Sequence, residues 1–132
     1  MQPETAADAV RARPAIRVRR LGMVDFEPTW RRMQRFTAER RVDTADEIWL
    51  LEHPPVFTLG LGADAKHLLR DVGVPMVRTD RGGQITYHGP GQLIAYTLID
   101  LRRRGLAVRA LVAKLEQALI DLLAGYGIAG PR

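Results

Sequence analysis

Thirteen consecutive residues, Asp80 to Gln92, constrain this chain more than any other stretch. They read Asp-Arg-Gly-Gly-Gln-Ile-Thr-Tyr-His-Gly-Pro-Gly-Gln and contain four glycines and one proline. Gly82-Gly83 opens backbone conformations closed to other residues and lets another group approach the main chain. Gly89-Pro90-Gly91 forms a second bend. Between them, Gln84-Ile85-Thr86-Tyr87 alternates as a short strand does, with Ile85 and Tyr87 on one face and Gln84 and Thr86 on the other. The stretch is a strand held between two glycine turns, entered by Arg81 and left by His88. Such a device presents polar side chains and free backbone N–H groups to a substrate. Its plain alternative is a tight hairpin whose polar residues are solvated.

A chain of 132 residues is enough for one domain and not two. It has no cysteine, so it holds no disulfide, no thiolate metal site and no cysteine nucleophile. His53, His67 and His88 are far apart in sequence and show no paired ligand spacing, so no metal site is predicted. The net charge is +5, and 18 of the 20 basic residues are arginine, Lys66 and Lys114 being the exceptions. The arginines are scattered instead of massed with aromatics between them, which argues against a nucleic-acid partner. No apolar run reaches the length of a membrane span, and Met1 to Pro14 lacks the apolar centre of a secretory signal. These features predict a cytoplasmic protein without a membrane partner.

In chain order, residues 1–14 read as a disordered leader. Ile16 to Leu21 alternates as a strand does, ended by Gly22. Asp25 is placed to cap a helix with Pro28 in its first turn, running to about Arg41. Phe26, Trp30, Met33 and Thr37 fall at helical spacing with Phe36 beside them, a stripe read as core. Glu47 to His53 is a strand whose four-residue apolar run predicts burial on both faces, and Pro54-Pro55 stops it. Val56 to Leu59 is a short strand ending in Gly60-Leu61-Gly62, which lacks the continuation of a dinucleotide site. Residues 63–70 suggest a short helix, and Pro75 to Thr79 the next strand. Leu93 to Leu101 reads as a long buried strand, followed by a basic turn at Arg102-Arg103-Arg104-Gly105. Val108 to Ala124 is an amphipathic helix with Leu111, Leu115, Leu119, Leu122 and Leu123 as its buried stripe, ended by Gly125 or Gly127. Ile128 is placed to begin another strand. Five or six strands and two long helices make a mixed α/β (α+β) domain, a mixed sheet with flanking helices.

The central stretch, Asp80 to Gln92, resembles the lipoyl(octanoyl) transferases, which are similar in fold to the biotin and lipoate protein ligases. Asp46-Glu-Ile-Trp-Leu-Leu-Glu-His-Pro-Pro-Val-Phe-Thr-Leu-Gly60 upstream and Asp100-Leu-Arg-Arg-Arg104 downstream support it, so the resemblance runs from about Ile16 to the end. A lipoate ligase is expected to carry three successive glycines and a His-Asp here; Gly82-Gly83-Gln84 and His88-Gly89 favour the transferase.

The resemblance implies an acyltransferase that takes an octanoyl group from acyl carrier protein, forms an acyl-cysteine, and passes the chain to a lysine of a lipoyl domain. It implies no cofactor. It places Arg81, Gly82, Gly83, Gln84, Ile85, Thr86, Tyr87 and His88 along the substrate site. In that reading Gly82, Gly83 and Gln84 offer N–H donors to the acyl group, and Ile85 and Tyr87 wall the acyl tunnel. His88 orients or hydrogen-bonds the reacting group, and Arg81 meets the carrier's phosphopantetheine or fixes the loop through an acidic neighbour. The family's cysteine and catalytic lysine are expected beyond Arg132. Residues 15–132 are then the N-terminal portion of one catalytic domain, inactive by themselves. The alternative is a non-catalytic module of that family that binds an acyl chain or the carrier protein.

Overall fold

A computed structural model describes residues 15–63 and 73–130. The elements are β1 (Arg17–Met23), α1 (Phe26–Glu39), β2 (Glu47–Glu52), β3 (Val56–Leu59), β4 (Met76–Arg78), β5 (Ile85–His88), β6 (Ile94–Leu98) and α2 (Val108–Gly125). The expected leader and the expected helix at 63–70 lie, but for Ala63, outside the described residues. The chain divides after Leu98 into two compact units, and all six strands and α1 belong to the first.

The expected mixed pairing is present but divided between two three-stranded sheets, β1-β2-β6 and β4-β3-β5. In each, the central strand has one parallel and one antiparallel neighbour. Pro54-Pro55 cannot continue the hydrogen-bond ladder, so the chain leaves the first sheet there and re-enters as the centre of the second. Glu52, at the end of β2, anchors the turn between β5 and β6, its Oε1 accepting from Gly91 N at 2.6 Å.

β2 is central, as its apolar run predicts, but the burial expected on both faces is met on one: Glu47, Trp49 and Leu51 are buried, whereas Ile48 and Leu50 are half-buried. Trp49 and Leu51 on its inward face form the core with Leu98, and Leu21, Val24, Met33, Phe36, Ile94 and Tyr96 pack around them. Phe36 of α1 meets Trp49 edge-on, with centroids 6.3 Å apart. The same face buries a polar device at its start. Glu47 is paired with Arg19 and accepts from Trp49 Nε1 at 2.9 Å. The Arg19 hydrogen bond holds the Glu47 carboxyl below the usual carboxylate range.

Several expectations need correction. Gly22 does not end β1, which runs on to Met23 through a register shift between Arg20 and Gly22. The strand expected over Leu93 to Leu101 is only Ile94–Leu98 and mostly half-buried, because β6 pairs with β2 alone among the described residues. Another concerns α2, which forms as its periodicity predicts. None of its described residues is buried, and Leu115, Leu119, Leu122 and Leu123 are exposed. Periodicity sets which face of a helix is apolar; it does not supply the surface that covers it. The end of α2 is settled by Gly127, whose φ of +75° permits hydrogen bonds from Gly127 N to Ala124 O and from Ile128 N to Leu123 O. Ile128 does not begin a strand. Among the described residues no helix is long and apolar enough to cross a membrane.

Candidate functional site

A cleft of about 400 Å³ opens in the first unit between α1 and both sheets. Its apolar side is Phe26, Trp30 and Met33 of α1 with Tyr96 of β6, and its polar side is Thr58 of β3, Thr79-Asp80-Arg81, and Thr86 and His88 of β5. The α1 stripe read as core therefore does two things. Phe36 and Met33 pack on the core, while Phe26, Trp30 and Met33 face the cleft. Helical spacing marks the apolar face but not which part of it is covered by protein. Thr37, placed in that stripe, is exposed.

The polar side is organised by Arg81. Its guanidinium donates to Thr58 O at 2.7 Å, Thr58 Oγ1 at 2.9 Å, Thr86 Oγ1 at 3.1 Å and Gly82 O at 2.9 Å. These partners are carbonyls and hydroxyls, not the acidic neighbour expected. The planar fork joins β3, β5 and the glycine turn in one geometry. Thr58 Oγ1 lies 3.5 Å from His88 Nε2, and His88 Nδ1 donates to Gln92 Oε1 at 2.9 Å. Because that carbonyl oxygen can only accept, it is Nδ1 that donates in this pair.

The glycine turn explains Gly60. A Cβ there would stand 2.8 Å from Gly82 O and closer still to Gly83 O. Gly60 N donates to Gln84 O and Leu61 N to Arg81 O, each at 2.8 Å. The Gly60-Leu61-Gly62 segment is thus the seat of the glycine turn.

Of the residues expected along the site, Arg81, Thr86 and His88 line the cleft. Gly82, Gly83 and Gln84 pack onto Gly60 instead. Ile85 and Tyr87 are not among the lining residues. Tyr87 lies against Phe57, with centroids 5.3 Å apart, on the other face of β5. Alternation along the strand separates the two pairs; which pair meets the cleft is set by the elements packed against each face.

Behind the cleft lies a pair that the sequence did not bring together. His53 is fully buried, its Nδ1 donating to Val24 O at 2.6 Å and its Nε2 accepting from Tyr96 O–H at 2.8 Å. It stands 6.3 Å from the His88 ring, although the two are distant in sequence. No group of three metal-ligating side chains occurs among the described residues. Burial pushes the His53 pKa down and the Tyr96 pKa up to about 12, so both stay neutral at pH 7.

Tyr96→Phe removes the donor to His53 Nε2 and should lower stability by about 1–3 kcal/mol, read from urea midpoints; an unchanged midpoint would contradict the pairing. The sign of the pH effect follows from the depressed His53 pKa. The unfolded chain takes up the proton first, near pH 6.5. The His53 contribution is complete above that pH and shrinks as pH falls toward the lower folded value.

Comparison with known proteins now bears on this cleft. Residues 25–132 match the lipoyl protein ligase A/B catalytic domain. The octanoyltransferase of Aromatoleum aromaticum is 68% identical over 119 residues, covering 90% of this chain and 52% of the relative. That of an Azoarcus species is 66% identical over 116 residues, 87% of this chain and 51% of the relative. That of Methylococcus capsulatus is 63% identical over 114 residues, 86% of this chain and 55% of the relative. The chain spans about half the length of these curated relatives. With the match extending over both described units, and with the α1 cleft and the glycine turn within it, the chain belongs to the lipoyl protein ligase A/B catalytic domain family.

Proposed function

We propose that these residues form the acyl-binding part of an octanoyltransferase. The protein takes an octanoyl group from the thioester of an acyl carrier protein and delivers it to a lysine of a lipoyl domain. The observation that carries this reading is one cleft with an aromatic and thioether wall on one side and a hydroxyl, imidazole and guanidinium cluster on the other. An acyl thioester has the same polarity: a hydrocarbon tail and one polar reacting carbon. High identity to proteins named octanoyltransferase supports the choice of chain.

In this reading a cysteine thiolate attacks the thioester carbonyl, the new thioester bond forms, and the carrier's sulfur leaves as thiolate. The lysine amine then attacks the acyl-cysteine, an amide forms, and the cysteine thiol is released with the amine's proton. The sequence here has no cysteine, so these 132 residues do not supply that nucleophile. Their part is to hold the acyl group. Arg81 fixes Thr58 and Thr86, and Thr58 and Gln92 fix His88, so the polar rim is organised before the thioester arrives.

The test is calorimetric titration with octanoyl-pantetheine and its shorter homologues. Saturable binding is expected, weakening about fourfold per methylene removed, as about 0.8 kcal/mol per buried CH₂ requires. Absence of binding, or affinity indifferent to chain length, would overturn the reading.

A further inference from the structure

Within the cleft the polar and apolar groups are segregated by element, and this assigns a direction to the bound chain. The polar groups come from β3, from β5 and from the turn before β5, whereas α1 contributes only Phe26, Trp30 and Met33. A thioester carbon placed beside Thr86 and His88 leaves its tail running toward α1. We propose that Trp30 and Met33 are the chain-length determinants of this site, closing the cleft on the terminal methyl of the acyl group. This deepens the acyl-binding reading above and rests on it.

The wall at this end is held on both sides. Trp30 stacks on Phe26 with centroids 6.0 Å apart, and Phe26 meets the His53 ring edge-on at 5.4 Å. His53 is fully buried and is fixed at both nitrogens, by Val24 O and by the Tyr96 hydroxyl. Phe26 therefore cannot retreat, and Trp30 has a fixed backing. Met33 reaches from the same face of α1 into the Trp49, Leu51 and Leu98 cluster. A rigid aromatic stop rejects a chain that is too long, because close-packed interiors do not yield to an extra methylene. The thioether beside it fills the remaining irregular space. His53 gains a role from this: held by Val24 O and by the hydroxyl of Tyr96, it positions the stop from behind the cleft wall.

The experiment titrates a straight-chain series, hexanoyl- to tetradecanoyl-pantetheine, into the unmodified protein and into Trp30→Ala and Met33→Trp, each checked for folding by circular dichroism. The unmodified protein should prefer octanoyl. Trp30→Ala should move the preference to longer chains, raising the dodecanoyl-to-octanoyl affinity ratio on the order of tenfold. Met33→Trp should do the reverse, weakening octanoyl on the order of tenfold while hexanoyl is retained. Should Trp30→Ala fail to fold, Met33→Trp decides the matter by itself. If the unmodified protein binds no acyl chain, the acyl-binding reading falls and this inference with it. If it binds with an octanoyl optimum that the folded variants keep, only the assignment of the stop to α1 is overturned.

Discussion

Gly60→Ala is expected to be the most damaging single-methyl substitution in this chain. The added carbon would lie 2.8 Å from Gly82 O and nearer to Gly83 O, and both are backbone atoms that cannot rotate away. The glycine turn must lift from its seat, and the hydrogen bonds from Gly60 N to Gln84 O and from Leu61 N to Arg81 O go with it. Overpacking costs about 1–3 kcal/mol and each lost bond about 0.5–1.5, so a destabilisation of roughly 3–5 kcal/mol is expected. Arg81 is displaced at the same time, so octanoyl-pantetheine binding should also be lost. Gly62→Ala is the matched control. Its Cβ would meet nothing closer than 3.9 Å, so its urea midpoint should hardly move. Equal effects at the two glycines would show that the turn is not seated on Gly60.

Arg81→Lys should be nearly as harmful as Arg81→Ala, despite the retained charge. The guanidinium reaches Thr58 O, Thr58 Oγ1, Thr86 Oγ1 and Gly82 O together because its donors are fixed in one plane. An ammonium group can satisfy part of that set but cannot hold β3, β5 and the turn in register. Under the proposed function, both variants should lower octanoyl transfer about a hundredfold, the scale of a small misplacement of reacting groups. The loss should be the same with octanoyl-pantetheine as with the carrier protein. A loss confined to the carrier protein, with Arg81→Lys retaining activity, would instead make Arg81 a docking charge.

Much of this architecture is legible in the chain itself, and the failures have physical causes. β2, β3, α1 and α2 follow from alternation, from a continuous apolar run and from helical spacing, because these are local consequences of where side chains point. The division into two sheets does not follow from periodicity, although Pro54-Pro55 marks the place where the ladder breaks. The glycine motif announces a site, and Arg81, Thr86 and His88 do line the cleft. Its other half comes from Phe26, Trp30 and Met33, which carry no signal beyond that of a core stripe. Tyr96 and His53 are 43 residues apart, and nothing in either local sequence names the other as partner. The purpose of Gly60 is equally non-local, since only the approach of Gly82 and Gly83 reveals it.

The most direct test of the acyl-binding account is a crystal structure of the protein with octanoyl-pantetheine bound. The account places the thioester carbonyl beside Thr86 and His88 and the terminal methyl against Trp30 and Met33, with Arg81 still bonded to Thr58. An acyl chain found elsewhere, for instance along the exposed leucines of α2, with the α1 cleft unchanged, would contradict it.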